Sequence, residues 1–135
     1  MSNLTTVQIK AFVPSKDFEL AKRFYSDLGF TVLWSDLEVA CLQQGTTAFL
    51  LQNYYVKEFA DNLMMHMLVE DLDAWWRLVS DQRLVAKYSG TAFRPMSPPV
   101  SAKEFEASKQ SAWSVLDFVF IDPTGVLWRI GQASV

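Results

Sequence analysis

His66 is the single histidine of the sequence, and it lies in a run of strand-forming residues, Met64 to Val69, two positions beyond Met64. Strand alternation puts His66 and Met64 on one face, and Lys10 stands in the same relation to Gln8 in the run Val7 to Val13. An imidazole and an ammonium held on one sheet face could exchange protons with a bound molecule, because imidazole titrates near neutral pH. Two other roles compete for His66, a hydrogen-bonded wall residue and a metal ligand. The sequence does not choose among them.

The one cysteine, Cys41, sits in the apolar run Val39-Ala40-Cys41-Leu42. It has no partner for an intramolecular disulfide, so a reducing cytoplasm fits it best. A buried structural thiol needs nothing further, whereas a reactive thiol needs a neighbouring base or a helix N-terminus that the sequence does not supply. No Gly-x-Ser-x-Gly elbow, glycine-rich phosphate loop or cysteine-pair metal motif occurs, and the five glycines stand at turns or near the chain end.

The elements that must carry these groups belong to a chain of 135 residues, the size of one domain. Half of the residues are hydrophobic and 20% are charged, a balance that supports a packed core rather than disorder. Lys and Arg number 12 against 15 Asp and Glu, for a net charge of -3. The cations are scattered, which argues against a nucleic-acid partner. Met1 to Thr6 lacks the pattern of a secretion signal, and no stretch approaches eighteen apolar residues, so neither export nor a membrane partner is expected.

Val7 to Val13 reads as a strand ended by Pro14. Ser15 and Asp17 are candidate caps for a helix bearing Phe18, Ala21, Phe24, Tyr25 and Leu28 at helical spacing, closed by Gly29. Phe30 to Trp34, Glu38 to Leu42 and Thr46 to Gln52 follow as strands. A second pass begins with the strand Met64 to Val69. Asp71 then caps a helix with Leu72, Trp75, Leu78 and Val79 on one stripe. Leu84 to Tyr88, Asp117 to Ile121 and Val126 to Ile130 complete the set.

The order β-α-β-β-β thus comes round twice. Asp17-Phe18-Glu19 matches Asp71-Leu72-Asp73, and the hairpin from Gln44 to Gln52 matches that from Thr124 to Gln132. Residues 89–112 are an insertion in the second copy. It holds Pro95, Pro98 and Pro99, then the capping-box pattern Ser101-Ala102-Lys103-Glu104, and its role as ligand wall or surface excursion is open.

Val13-Pro14-Ser15-Lys16-Asp17, Ala21-Lys22-Arg23-Phe24-Tyr25 and Leu28-Gly29-Phe30 resemble the first-module signature of the vicinal oxygen chelate superfamily, the group of glyoxalases, bleomycin-resistance proteins and extradiol dioxygenases. Asp122-Pro123-Thr124-Gly125-Val126-Leu127-Trp128 resembles its terminal hairpin. The resemblance implies an α+β fold, two βαβββ modules (about 7–52 and 64–132) in one domain whose curved mixed sheets surround a cavity, often completed across a homodimer. Enzymatic members hold a divalent metal there with His, Gln or Glu.

Carried over by position, the implied metal ligands are Gln8, Met64, Phe49 and Arg129. Only Gln8 could serve a hard divalent ion, since a phenyl ring has no lone pair, a thioether is soft and a guanidinium is a fixed cation. The resemblance therefore implies a metal-free member with no cofactor: a homodimer that sequesters a drug or metabolite. Its ligand residues would be Gln8, Lys10, Phe49, Leu51, Tyr54, Met64, His66, Trp113 and Arg129. The alternative is a glyoxalase-like lyase, isomerase or dioxygenase using His66 and Lys10 or a displaced metal.

Overall fold

The computed structural model describes residues 2–97 and 116–132. Two compact units divide the chain, Met1–Tyr54 and Tyr55–Val135.

In the first unit, β1 (Phe12–Pro14) precedes α1 (Phe18–Asp27), followed by β2 (Thr31–Ser35), β3 (Val39–Gln44) and β4 (Thr47–Gln52). Asp17, not Ser15, caps α1: its carboxylate accepts the Leu20 N–H at 3.1 Å. The Ser15 hydroxyl instead donates to the Gln52 carbonyl at 2.8 Å, tying the start of the helix to the end of β4.

Helix α1 stops at Gly29, whose φ of 94° suits a residue without a Cβ. The Gly29 and Phe30 amides donate to the Ser26 and Tyr25 carbonyls, each at 3.0 Å. That pattern satisfies two orphan carbonyls and swings the Phe30 ring to 5.7 Å from Tyr25. Phe49 completes the cluster from β4, 5.0 Å from Tyr25 and 5.4 Å from Phe30.

Strand order in this sheet is β1-β4-β3-β2, with β1 parallel to β4. The expected strand over Val7 to Val13 is realised only at its end. Residues 2–10 form no regular element, and pairing begins where the Leu50 amide donates to the Ala11 carbonyl at 3.0 Å.

The second unit opens with α2 (Lys57–Asn62). It continues through β5 (Met64–Val69), α3 (Leu72–Val79), α4 (Gln82–Lys87), β6 (Arg94–Ser97), β7 (Asp117–Ile121) and β8 (Leu127–Gln132), with sheet order β5-β8-β7-β6. Asp71 caps α3 by accepting the Ala74 N–H at 3.0 Å, the exact counterpart of Asp17 on α1.

Two expectations are corrected here. Leu84 to Tyr88 is not a strand but the body and cap of α4, because the Asp81 carboxylate accepts the Arg83 and Leu84 amides and starts a helix. Leu84 and Tyr88 are both buried, four residues apart, as a helix requires. The strand that fills this place in the module is β6, inside the presumed insertion, which pairs antiparallel with β7 through a bulge near Pro95. The helical stripe also shifts. Trp76 meets the sheet, 5.2 Å from the Phe118 ring, between buried Leu72 and Val79, while Leu78 is exposed.

Both modules are therefore βαβββ units with a mixed four-stranded sheet, and the fold is α+β. One face of each sheet is covered by its helix, with Val13, Ala40, Leu42, Phe49 and Leu51 buried in the first unit and Met67, Val69, Phe118, Phe120, Trp128 and Ile130 in the second. A fully buried side chain of this size contributes roughly 1.5–3 kcal/mol. The opposite, helix-distal face of each sheet is where side chains remain available.

Candidate functional site

Register decides which residues reach the helix-distal faces. In the second unit β5 and β8 run parallel with Met64 opposite Leu127, His66 opposite Arg129 and Leu68 opposite Gly131. Their neighbours Met67, Trp128 and Ile130 are buried under the helix, so the first set lies on the other face. Met64 and Leu68 are more than half exposed. Strand β7 adds Val119, opposite Arg129, and Asp117.

Arg129 is not a solitary cation. Its Nε and one terminal nitrogen donate to the same Asp117 oxygen at 2.9 and 2.7 Å, with both side chains mostly buried. Asp117 is a site residue that the sequence reading missed. Its signal lay in the hairpin: with Asp122 to Val126 as the turn, Asp117 falls two residues before Val119 and so on the same face as Arg129.

The turn itself is fixed by Asp122. One carboxylate oxygen, buried, accepts the amides of Thr124, Gly125 and Val126, each at 2.9 Å. This orients the start of β8 and hence Arg129.

In the first unit strand register moves two expected site residues. Val13 pairs with Leu51 and Phe12 with Leu50, while Phe49 and Leu51 are 3% and 0% exposed. Phe49 and Leu51 thus belong to the helix-side core, and Ala48 and Leu50 occupy the helix-distal face. The reason is turn length. Gly45 and Thr46 alone separate the paired Gln44 and Thr47, whereas five residues separate Ile121 from Leu127. Counting a fixed number of residues from the glycine therefore lands on opposite faces in the two modules. Since Val13 faces Leu51 and Val69 faces Gln132, Ala48 is the counterpart of Arg129.

A registered row crosses the helix-distal face of the first sheet: Phe12, Leu50, Cys41 and Trp34. The outer rings of Phe12 and Trp34 are 55% and 51% exposed, and Cys41 is buried between the inner strands. That environment is apolar and gives the thiol no activating neighbour.

Gln8 and Lys10 are joined to each other, the Lys10 ammonium donating to the Gln8 amide oxygen, but lie in the irregular segment before β1. Tyr54 is half-exposed at the end of the first unit. Trp113 and the capping-box pattern at Ser101 lie outside the described residues. The structure brings together Met64, His66 and Arg129. Gln8, Lys10 and Tyr54 belong to the first unit.

The positions at which metal-binding proteins of the resembled superfamily place ligands carry Ala48, Met64 and Arg129 in the sheets, and Gln8 outside regular pairing. A methyl group, a thioether and an ion-paired guanidinium do not fit a hard divalent ion. Among the described residues, no group of three or more His, Cys, Asp or Glu could hold one.

The paired βαβββ modules define a class of fold before any sequence is matched. Profiles of known protein families give no match to this chain, and no curated protein sequence matches it. Solved structures do. A bleomycin-binding protein complexed with bleomycin superimposes with a TM-score of 0.71 at 22% identity, covering 96% of this chain and 100% of the other. A bleomycin-binding protein from bleomycin-producing Streptomyces verticillus, complexed with copper(II)-bleomycin, gives 0.68 at 20% identity over 98% and 100%. A glyoxalase-related enzyme from Fulvimarina pelagi gives 0.60 at 16% over 93% and 88%. The chain has the fold of the vicinal oxygen chelate superfamily, in the form seen in bleomycin-binding and glyoxalase-related proteins.

Among the described residues, no helix is long and apolar enough to cross a membrane.

Proposed function

We propose that this chain is a metal-free, homodimeric binding protein of the cytoplasm that sequesters a drug-like or metabolite-sized molecule on the helix-distal faces of its sheets. The single observation that carries the reading is the Arg129–Asp117 pair, set among Met64, Leu68, Leu127 and Val119 where a chelating protein would need donors. Apolar walls with a few fixed polar groups suit capture of a mostly apolar ligand. The exposed rings of Phe12 and Trp34 suit stacking of a planar one. Fold likeness to proteins that bind bleomycin supports a ligand of that general kind. Gln8, Lys10, Tyr54 and Trp113 remain proposed contacts.

Titrating the protein with metal-free bleomycin and with smaller planar cations, followed by tryptophan fluorescence, tests the proposal. Saturable quenching unaffected by chelator supports it. Turnover of a ligand that requires added metal overturns it.

A second reading is favoured by one observation. His66 is exposed beside Arg129, and among the described residues nothing hydrogen bonds to its imidazole. It is thus available to take or give a proton, which an isomerase or lyase would use. Conversion of a substrate by the wild type but not by His66→Ala would establish that reading over sequestration.

A further inference from the structure

Arg94 completes the helix-distal face of the second sheet. Strand β6 pairs antiparallel with β7, setting Arg94 opposite Ile121 and Pro95 opposite the buried Phe120. Directly opposed residues share a face, so Arg94 stands with Ile121, Val119 and Asp117 on the side away from the helix. A row therefore crosses all four strands, Met64, Leu127, Ile121 and Arg94, in which three apolar side chains end in a guanidinium. Arg129 belongs to the next row. It lies two strands and two residues from Arg94, a Cα separation of about 12 Å, so two long side chains can converge on one headgroup between them.

The two cations are in different states. Arg129 donates twice to a single Asp117 oxygen, which leaves its other terminal nitrogen without a partner among the described residues. Arg94 is exposed, and the described residues offer it no hydrogen bond or ion pair at all. With Arg129 and Asp117 cancelling and His66 neutral, this face keeps one positive charge in a chain whose net charge is -3.

We propose that the molecule captured on this face is an organic anion, its apolar body on Met64, Leu127 and Ile121 and its terminal carboxylate between Arg94 and the free terminal nitrogen of Arg129. The inference rests on the sequestration reading above and names its ligand class. Guanidinium groups present paired N–H donors that match the two oxygens of a carboxylate. One uncompensated charge is neutralised by a monoanion, whereas a doubly charged phosphate would leave an excess negative charge over an apolar floor from which water is displaced. Asp117, one row beyond Arg129, repels an anion from that end and so directs the headgroup toward Arg94.

Calorimetric titration of chelator-dialysed protein with naphthoate, its neutral isostere naphthamide and naphthyl phosphate tests this. Naphthoate is expected to bind about tenfold or more tighter than naphthamide, and Arg94→Gln to bring it down to the naphthamide level. Because Arg94 has no hydrogen bond or ion pair among the described residues, the variant should keep the wild-type thermal midpoint. Equal binding of naphthoate and naphthamide would overturn the anion class and leave sequestration standing. A preference that survives Arg94→Gln would put the carboxylate elsewhere and overturn this site, and tighter binding of naphthyl phosphate would overturn the monoanion. If neither these three probes nor metal-free bleomycin binds, the inference and the sequestration reading fall together.

Discussion

Arg129 gives two N–H groups to one oxygen of Asp117, at 2.9 and 2.7 Å, on the sheet face where His66 is its cross-strand neighbour. The pair neutralises a cation that would otherwise dominate this face. It also sets what the face can accept, since a ligand must either leave the pair intact or compete for one of its members.

A double-mutant cycle measures that coupling. Arg129→Ala, Asp117→Ala and the double variant, compared by urea unfolding, are expected to show an interaction of about 1 kcal/mol, because the side chains keep 33% and 22% of their exposure and water screens them. Additive single effects would contradict a coupled pair.

The Asp122 turn is expected to be far more costly to break. Asp122→Ala orphans three amides that now share one buried carboxylate oxygen, and a loss of about 3 kcal/mol or more should appear in thermal or urea unfolding. A change below about 1 kcal/mol would show that water replaces the carboxylate.

Asp17 and Asp71 are matched caps of the two module helices. Asp17→Ala and Asp71→Ala should each destabilise the protein by about 1 kcal/mol, and a double variant should lose about the sum, because the caps lie in separate units.

Acid should destabilise the fold partly through Asp36 and Asp81. Backbone amides of Glu38 and Val39 hold the Asp36 carboxyl below its ordinary value near 3.8. The Arg83 amide, followed by its guanidinium, does the same for Asp81. A depressed carboxyl stabilises the fold above its unfolded value, and the contribution vanishes as pH falls through the folded value. The midpoint of thermal unfolding should therefore drop below about pH 4, and Asp36→Asn with Asp81→Asn should flatten that drop.

Much of this architecture was legible because local signals and tertiary packing agree. The Asp17 and Asp71 caps, the Gly29 stop and the strand Met64–Val69 stand as read from the sequence. Errors fell where a local pattern has two solutions. Leu84 to Tyr88 alternates weakly enough to pass as a strand, but Asp81 nucleates a helix in which Leu84 and Tyr88 share a face. Strand β6 was hidden by Pro95, which an edge strand tolerates at a bulge.

The site was less legible than the fold because a face depends on register, and register on turn length. Phe49 and Leu51 were assigned to the open face by analogy with Arg129, and the two-residue turn at Gly45 reverses them. Asp117, whose importance is its contact with Arg129, carries no local signature.

Isothermal titration calorimetry of metal-free bleomycin into protein dialysed against chelator tests the central claim most directly. Metal-free sequestration requires saturable binding with the same affinity before and after chelator treatment, weakened when Arg129 is replaced by alanine. A stoichiometric divalent ion that survives the dialysis, or binding that appears only when such an ion is restored, would contradict it.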